Sequence, residues 1–333
     1  MSDKNLHHAR ALWYVAPQNC EIRHEDLGPL QAGSLRVRMM WSALSRGTER
    51  LIYNGLVPET IAQDMRAPFQ QGVFPFPVKY GYCAVGSVID GDDDLVGQTI
   101  FCLHPHQTYF DVPRTAAHLL PHNVPPKRAI LAANMETALN AVWDSGVSAG
   151  ERVLIIGAGI VGLLVTFLVS RLIGTEVYVC DIDRQRADII KQMGGCFMTP
   201  DELKQSPVEA DCVFHSSATQ EGLNLALHNC GFEARVVEMS WYGDKSLALT
   251  LGAHFHARRL TLISSQVGAI APQQRPRWDY ARRLALALRL LADPSLDALL
   301  SNECNFDDMP LRIAEYLGPQ SAHLTCAIAY KGN

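Results

Sequence analysis

Gly157-Ala158-Gly159-Ile160-Val161-Gly162 follows directly on the apolar run Val153-Leu154-Ile155-Ile156 and opens a second apolar run. A GxGxxG pattern alone says little. Between a buried strand and a helix, it specifies a turn whose backbone approaches a phosphate. Gly157 permits the tight turn, Gly159 admits a pyrophosphate to the backbone, and Gly162 lets helix and strand pack closely. The N–H groups of Ile160 and Val161, at the positive end of the helix dipole, are the expected phosphate donors. Asp181 ends the next apolar run, 19 residues beyond Gly162. A carboxylate there accepts hydrogen bonds from the adenosine ribose and repels a 2′-phosphate, which favours NAD over NADP; Arg184 is the residue that argues for NADP. Proteins that bind S-adenosylmethionine use a similar turn, but the third glycine and the spacing suit a dinucleotide better.

The surrounding pattern extends this unit. Strands are expected at 152–156, 176–180, 212–215, 235–239, 247–251 and 260–264, with helices at 160–173, 184–193 and 220–229. That alternation predicts an α/β, doubly wound parallel sheet. Residues 1–125 read instead as β-rich, with short apolar runs at 11–15, 35–41, 84–88 and 99–103 between turn signals. After a Pro/Gln/Arg loop at 271–277 come a helix at 278–292 and an apolar strand at 324–330. The expected division is therefore 1–125, 126–265 and 266–333, and 333 residues are enough for two domains.

Composition excludes some functions. Lys plus Arg number 29 against 34 Asp plus Glu, a net charge of −5 with no basic run, so neither nucleic acid nor an anionic membrane is an expected partner. Residues 153–170 are 18 positions without a charge, the length of a membrane-helix candidate, but the glycine turn inside them reads as a buried strand and a buried helix. The nine cysteines are odd in number and never closer than 16 residues. This spacing contains no CxxC pair and argues for reduced thiols in the cytoplasm. The first ten residues lack the apolar core of a secretory signal.

Four segments carry a resemblance: Ser45-Arg46-Gly47-Thr48-Glu49, Gly81-Tyr82-Cys83-Ala84-Val85-Gly86, the run from Val147 to Val153, and the glycine motif. Together they resemble the medium-chain dehydrogenase/reductase superfamily, which includes the zinc alcohol dehydrogenases, over essentially the whole chain. The resemblance implies a GroES-like β-rich catalytic domain, a Rossmann domain, and a C-terminal return to the first. It also implies a homodimer paired through the Rossmann edge strands, and a place for Thr137 against the nicotinamide. Gly47-Thr48-Glu49-Arg50-Leu51 further resembles the bacteriochlorophyllide a dehydrogenase branch, which oxidises a hydroxyethyl substituent on a chlorin ring.

The zinc enzymes of the superfamily hold their metal with side chains at three positions, which fall here on Arg46, Tyr82 and near Ala133. A guanidinium and a methyl group are not zinc ligands, so no metal is expected. Two His-x-His pairs, His104/His106 and His254/His256, would each share a face if extended, but no nearby Asp, Glu or Cys completes a set.

Without a Lewis acid, hydride transfer needs hydrogen-bond donors at the reacting oxygen. The resemblance supplies Thr48 as an oxygen-contacting hydroxyl and places His104 in the pocket wall, where an ordinary imidazole suits acid/base work; Tyr82, standing where the family has a metal ligand, could point a phenol at the same oxygen. Each has a structural alternative: Thr48 as cap of a helix at 49–54, Tyr82 as a packed aromatic, His104 as a satisfied polar side chain. Arg46 could contact the pyrophosphate or an acidic substrate group, and Glu49 is expected in a structural ion pair. Ser265, ending the last Rossmann strand, is the expected contact to the nicotinamide amide. The loop at 57–76, with Phe69, Phe74 and Phe76, is the expected wall for a small-molecule substrate. The leading reading is a zinc-independent, NAD-dependent oxidoreductase interconverting an alcohol and a carbonyl. An NADPH-dependent quinone or enone reductase and a non-catalytic nicotinamide-nucleotide-binding protein are the alternatives.

Overall fold

Two stretches of chain build the first unit, one ending at Ala133 and one beginning at Leu288; residues 134–287 build the second. The computed structural model describes residues 8–318, 321 and 323–331.

In the first unit, β1 (His8–Ala16) and β2 (Asn19–Asp26) form an antiparallel hairpin, and β3 (Ser34–Ala43) leads into α1 (Arg46–Tyr53). The short β4 (Gln71–Gly72) and β5 (Val78–Lys79) complete a four-stranded sheet in the order β2-β1-β5-β4. Four strands follow: β6 (Ala84–Asp90), β7 (Thr99–Cys102), β8 (Tyr109–Pro113) and β9 (His118–Leu119). Alternation along β3, β6, β7 and β8 turns Leu35, Val37, Met39, Ala84, Val88, Ile100, Phe110 and Val112 into one buried cluster. The short α2 (Pro126–Ala129) precedes α3 (Ala132–Ser145), which carries the chain into the second unit.

The second unit is a six-stranded parallel sheet: β10 (Arg152–Ile156), β11 (Glu176–Cys180), β12 (Cys196–Met198), β13 (Ala210–His215), β14 (Cys230–Glu238) and β15 (Thr261–Ser264). Its order is β12-β11-β10-β13-β14-β15, so the sheet grows outward in both directions from β10. Helices α4 (Ile160–Val169), α5 (Ala187–Gln192), α6 (Pro200–Gln205) and α7 (Gln220–His228) link the strands. The uncharged stretch at 153–170 resolves into buried β10 and the largely buried α4. No helix among the described residues is long and apolar enough to cross a membrane. α8 (Tyr280–Leu290) then leads back to the first unit, where β16 (Asn302–Asn305), α9 (Met309–Leu317) and β17 (Cys326–Ala329) lie. β17 pairs antiparallel with β3, so the C-terminal strand completes the seven-stranded sheet begun by the N-terminal part.

Three expectations change. Residues 247–250 form no strand. The Ala248 N–H is held by Gln220 Oε1 at 2.7 Å and the Thr250 N–H by Asn224 Oδ1 at 3.0 Å, so side-chain amides of α7 replace a ladder. The chain then enters an irregular turn at Leu251–Phe255, kinked at Ala253 (φ −100°, ψ −118°). The helix expected at 184–193 is a 3-10 turn, Arg184–Arg186, followed by α5. β12 and α6 were not expected from the pattern, although Thr199 and Glu202 form a reciprocal capping box at the start of α6.

Candidate active site

The glycine turn sits at the C-terminal edge of the second unit's sheet. Gly157 has φ +105°, and a Cβ there would lie about 3.0 Å from the Ser217 nitrogen. A Cβ on Gly162 would fall 2.0 Å from the Gly157 carbonyl oxygen, whereas one on Gly159 would meet nothing within 4 Å. The turn is thus closed on the protein side and open at Gly159, the space a pyrophosphate needs, with Gly159 itself the N-cap of α4 ahead of Ile160 and Val161. Asp181 lies against this turn. Its Oδ2 accepts the Ala158 N–H at 2.6 Å and its Oδ1 accepts the Asp183 N–H at 2.9 Å. Both contacts fix the carboxylate beside the loop. The donors and the cradle suit a dinucleotide.

In the first unit, α1 begins at Arg46 with Ser45 as N-cap, so Thr48 is inside the first turn and does not cap a helix at 49–54. Thr48 instead faces Tyr82: the phenol oxygen lies 3.2 Å from Thr48 Oγ1 and is hydrogen-bonded to Ser45 Oγ. Burial, reinforced by Cys83 and Glu49, pushes the Tyr82 phenol above its ordinary value despite the opposing Ser45 and Thr48 contacts, so it remains a neutral donor.

Beneath this trio is a fully buried polar core centred on Glu49. Glu49 Oε2 receives the Tyr14 hydroxyl at 2.6 Å and lies 3.0 Å from His106 Nε2, while Oε1 receives the Ser45 N–H at 2.7 Å. His106 Nδ1 continues to Ser42 Oγ at 2.8 Å, and Ser42 to the Tyr330 hydroxyl at 2.9 Å. Glu49 therefore pins the backbone of Ser45, and Ser45 holds Tyr82. The partner of Glu49 is the His106 ring, an ion pair only in the protonated form of that ring. Gly81 is part of the same packing, since a Cβ there would lie 2.9 Å from His106 Nε2.

His104 differs from its expected role. The imidazole is buried, stacks on Phe110 with centroids 4.0 Å apart, and donates Nδ1–H to the Pro105 carbonyl at 3.0 Å. Burial drives its pKa from 6.5 to about 3, against the Pro105 hydrogen bond and with help from Lys79 and His106. The side chain stays neutral near pH 7 and does not exchange protons there as its residue type alone suggested. Its unfolded form gains a proton below about pH 6.5 and its folded form only near pH 3, so stability falls as pH drops through that window by about 1.4 kcal/mol per unit. His104→Gln is expected to flatten this acid limb: from pH 7 to pH 5 the native protein should lose about 2 kcal/mol more than the variant in urea unfolding. Equal losses would show that His104 is not the neutral buried group described.

The His-x-His pairs do not converge. β7 ends at Cys102 and Pro105 intervenes, so His104 turns to Phe110 and His106 to Glu49. His254 stacks on His228 at 4.7 Å, while His256 is exposed. Among the described residues, no group of three His, Cys, Asp or Glu side chains could hold a metal ion. Ser265 is also engaged: its hydroxyl donates to Asp144 at 2.7 Å and its N–H to the Glu238 carbonyl at 2.9 Å, leaving neither donor for a nicotinamide amide. Thr137 is half-buried on the second turn of α3.

No family model matches the chain. D-guloside 3-dehydrogenase of Escherichia coli is 21% identical over 324 residues, covering 89% of this chain and 92% of the relative. 2-Dehydro-3-deoxy-L-galactonate 5-dehydrogenase of Pseudoalteromonas atlantica is 25% identical over 238 residues, 62% of this chain and 69% of the relative. Among solved structures, an alcohol dehydrogenase of E. coli in complex with NADH superposes with a TM-score of 0.77 at 15% identity, over 97% of this chain and 99% of that one. The fold is shared with that solved dehydrogenase, and the near full-length similarity in sequence to a named dehydrogenase supports the resemblance to the medium-chain dehydrogenase/reductase superfamily.

Sequence reasoning did not find two polar groupings. Tyr14, Ser42, His106 and Tyr330 converge on Glu49 from across the fold, and no spacing announces them. His215 and Glu238 also pair, at 2.7 Å. Here a signal existed: each is a polar residue at the C-terminal end of an apolar strand, where this kind of sheet binds its ligand.

Proposed function

We propose that this chain is a zinc-independent, NAD-dependent oxidoreductase that interconverts an alcohol and a carbonyl by hydride transfer. One observation carries the reading. Where the superfamily's zinc enzymes place a ligand, this chain has Tyr82, a neutral phenol held against Ser45 and Thr48. Arg46 and Ala133 occupy the other two ligand positions, and neither offers zinc a lone pair. The residues present therefore do not fit the metal.

The nicotinamide of a dinucleotide held at the glycine turn would supply or accept the hydride. Tyr82 and Thr48 would handle the oxygen. With its proton turned from Ser45 toward substrate, the Tyr82 phenol would join the Thr48 hydroxyl in giving a carbonyl oxygen two donors, which count most toward developing negative charge away from water. In the oxidative direction the same hydroxyls would relay the alcohol proton, each passing its own proton on as it accepts, so that the proton ends on solvent. Glu49 is a positioning residue, acting through the Ser45 backbone. The dehydrogenases this chain is similar to act on hydroxylated, sugar-derived compounds, which supports an alcohol as substrate.

Asp181, fixed beside the glycine turn, supports NAD over NADP. The unaltered protein is expected to bind NADH at least about tenfold more tightly than NADPH, and Asp181→Ser should narrow that gap. Equal affinity of the unaltered protein for both would contradict the assignment and favour the NADPH-dependent enone reductase. Tight binding without turnover on any alcohol or carbonyl would favour a non-catalytic role. The same reading makes the chain a cytoplasmic homodimer paired through β15, whose Thr261, Leu262 and Ser264 are exposed at the outer edge of the sheet.

A further inference from the structure

The register of the second unit's sheet places His215 directly opposite Ile156 on one side and Glu238 on the other. These residues end β13 and β14, on the flank of β10 away from Asp181. They form a continuous hydrogen-bonded chain. Glu238 Oε2 lies 2.7 Å from His215 Nδ1, and His215 Nε2 lies 2.7 Å from Ser217 Oγ. His215 is fully buried, while Ser217 is half-exposed on the loop before α7. The chain abuts the glycine turn, because the missing Cβ of Gly157 would meet Ser217 N, and the Ser216 hydroxyl donates to the Gly157 carbonyl at 3.1 Å.

The direction of these bonds follows from Glu238. Burial pushes its carboxyl up, but the His215 contact and the Ser240 N–H at 2.7 Å outweigh this and hold it below the ordinary value. The Tyr242 hydroxyl donates to the same Oε2 at 2.9 Å. A carboxylate accepts only, so His215 donates from Nδ1; in the neutral imidazole Nε2 then accepts, and Ser217 donates its proton inward. Ser217 Oγ is thereby fixed as a hydrogen-bond acceptor toward whatever lies above it. Thr219 Oγ1, 3.0 Å away, takes up one lone pair and leaves another.

A dinucleotide whose pyrophosphate lies at the Gly157 turn and whose adenosine reaches Asp181 extends its other half over β13 and β14. We propose that Ser217, oriented by His215 and Glu238, is the hydrogen-bond acceptor for a ribose hydroxyl on the nicotinamide half of that dinucleotide. This rests on the dinucleotide reading above. Ser217 is the contacting residue, and His215 and Glu238 position it.

The test compares NADH with ADP, which lacks the nicotinamide half, by titration on the full-length protein. Ser217→Ala removes one half-exposed oxygen and should leave the fold intact. Glu238→Gln keeps the size of the side chain. Because its oxygen is needed for the Ser240 N–H, its amide nitrogen faces His215 and reverses the chain, turning Ser217 into a donor. Ser217→Ala is expected to weaken NADH about tenfold and Glu238→Gln by less, since the ribose hydroxyl can also accept from a reversed Ser217, and both are expected to leave ADP within about twofold. NADH affinity unchanged in both, or equal losses for NADH and ADP, would overturn this inference while leaving the dinucleotide reading in place. Failure of the unaltered protein to bind either nucleotide would overturn both.

Discussion

Glu49→Ala is expected to destabilise the protein by about 3–5 kcal/mol, roughly a fifth or more of the stability of an ordinary domain. The substitution leaves the Tyr14 hydroxyl, the Ser45 N–H and the His106 ring without an acceptor in a site from which water is excluded. Each buried donor left unmatched costs about 1–3 kcal/mol. Urea unfolding measures the loss directly. Activity should fall further than stability explains, because the freed Ser45 no longer holds Tyr82 beside Thr48. Glu49→Gln, whose single carbonyl oxygen can still accept from Ser45 while its amide nitrogen faces Tyr14 and His106, should recover part of the stability. A loss below about 1 kcal/mol in Glu49→Ala would mean that the cluster is wet or readily rearranged.

The second large effect separates two glycines three residues apart. In Gly162→Ala the new methyl falls 2.0 Å from the Gly157 carbonyl oxygen, a backbone atom with no freedom to withdraw. The strand–turn–helix must open, so both thermal stability and NADH binding should suffer, binding by about a hundredfold or more. In Gly159→Ala the methyl meets nothing within 4 Å and lies where the turn is open. That variant should fold as the parent does and still lose NADH, because the methyl occupies the space a pyrophosphate needs. Melting curves and NADH titrations on the two proteins check the contrast. Normal NADH binding by Gly159→Ala would show that the phosphate does not approach this turn.

The sequence revealed the second unit more fully than the first because its signals are local. An apolar strand, three glycines and an acid at the end of the next strand lie within residues 153–181, and the structure joins the last two through the Ala158–Asp181 hydrogen bond. Where pattern reading failed, the deciding contact came from elsewhere in the chain. Residues 247–251 alternate as a strand should, yet their backbone is held by Gln220 and Asn224, side chains of a helix more than twenty residues earlier. His104 has the residue type of an acid/base catalyst, but Phe110 and burial make it a neutral wall group. Ser265 stands at the expected strand end but is committed to Asp144. The Thr48–Tyr82 pairing was expected as a common site and is found as a contact, whereas the Glu49 core beneath it depends on Tyr14, His106 and Tyr330 arriving from distant strands.

The central claim is that hydroxyl donors, not a metal, serve the reacting oxygen. It is tested most directly by following NAD-dependent turnover over a panel of secondary alcohols and sugar-derived polyols before and after exhaustive chelation. At least one substrate is expected whose turnover survives chelation unchanged and falls about a hundredfold or more in Tyr82→Phe and Thr48→Ala, the scale of lost oxygen-stabilising donors. Turnover abolished by the chelator and restored by added zinc, with Tyr82→Phe near normal, would contradict it.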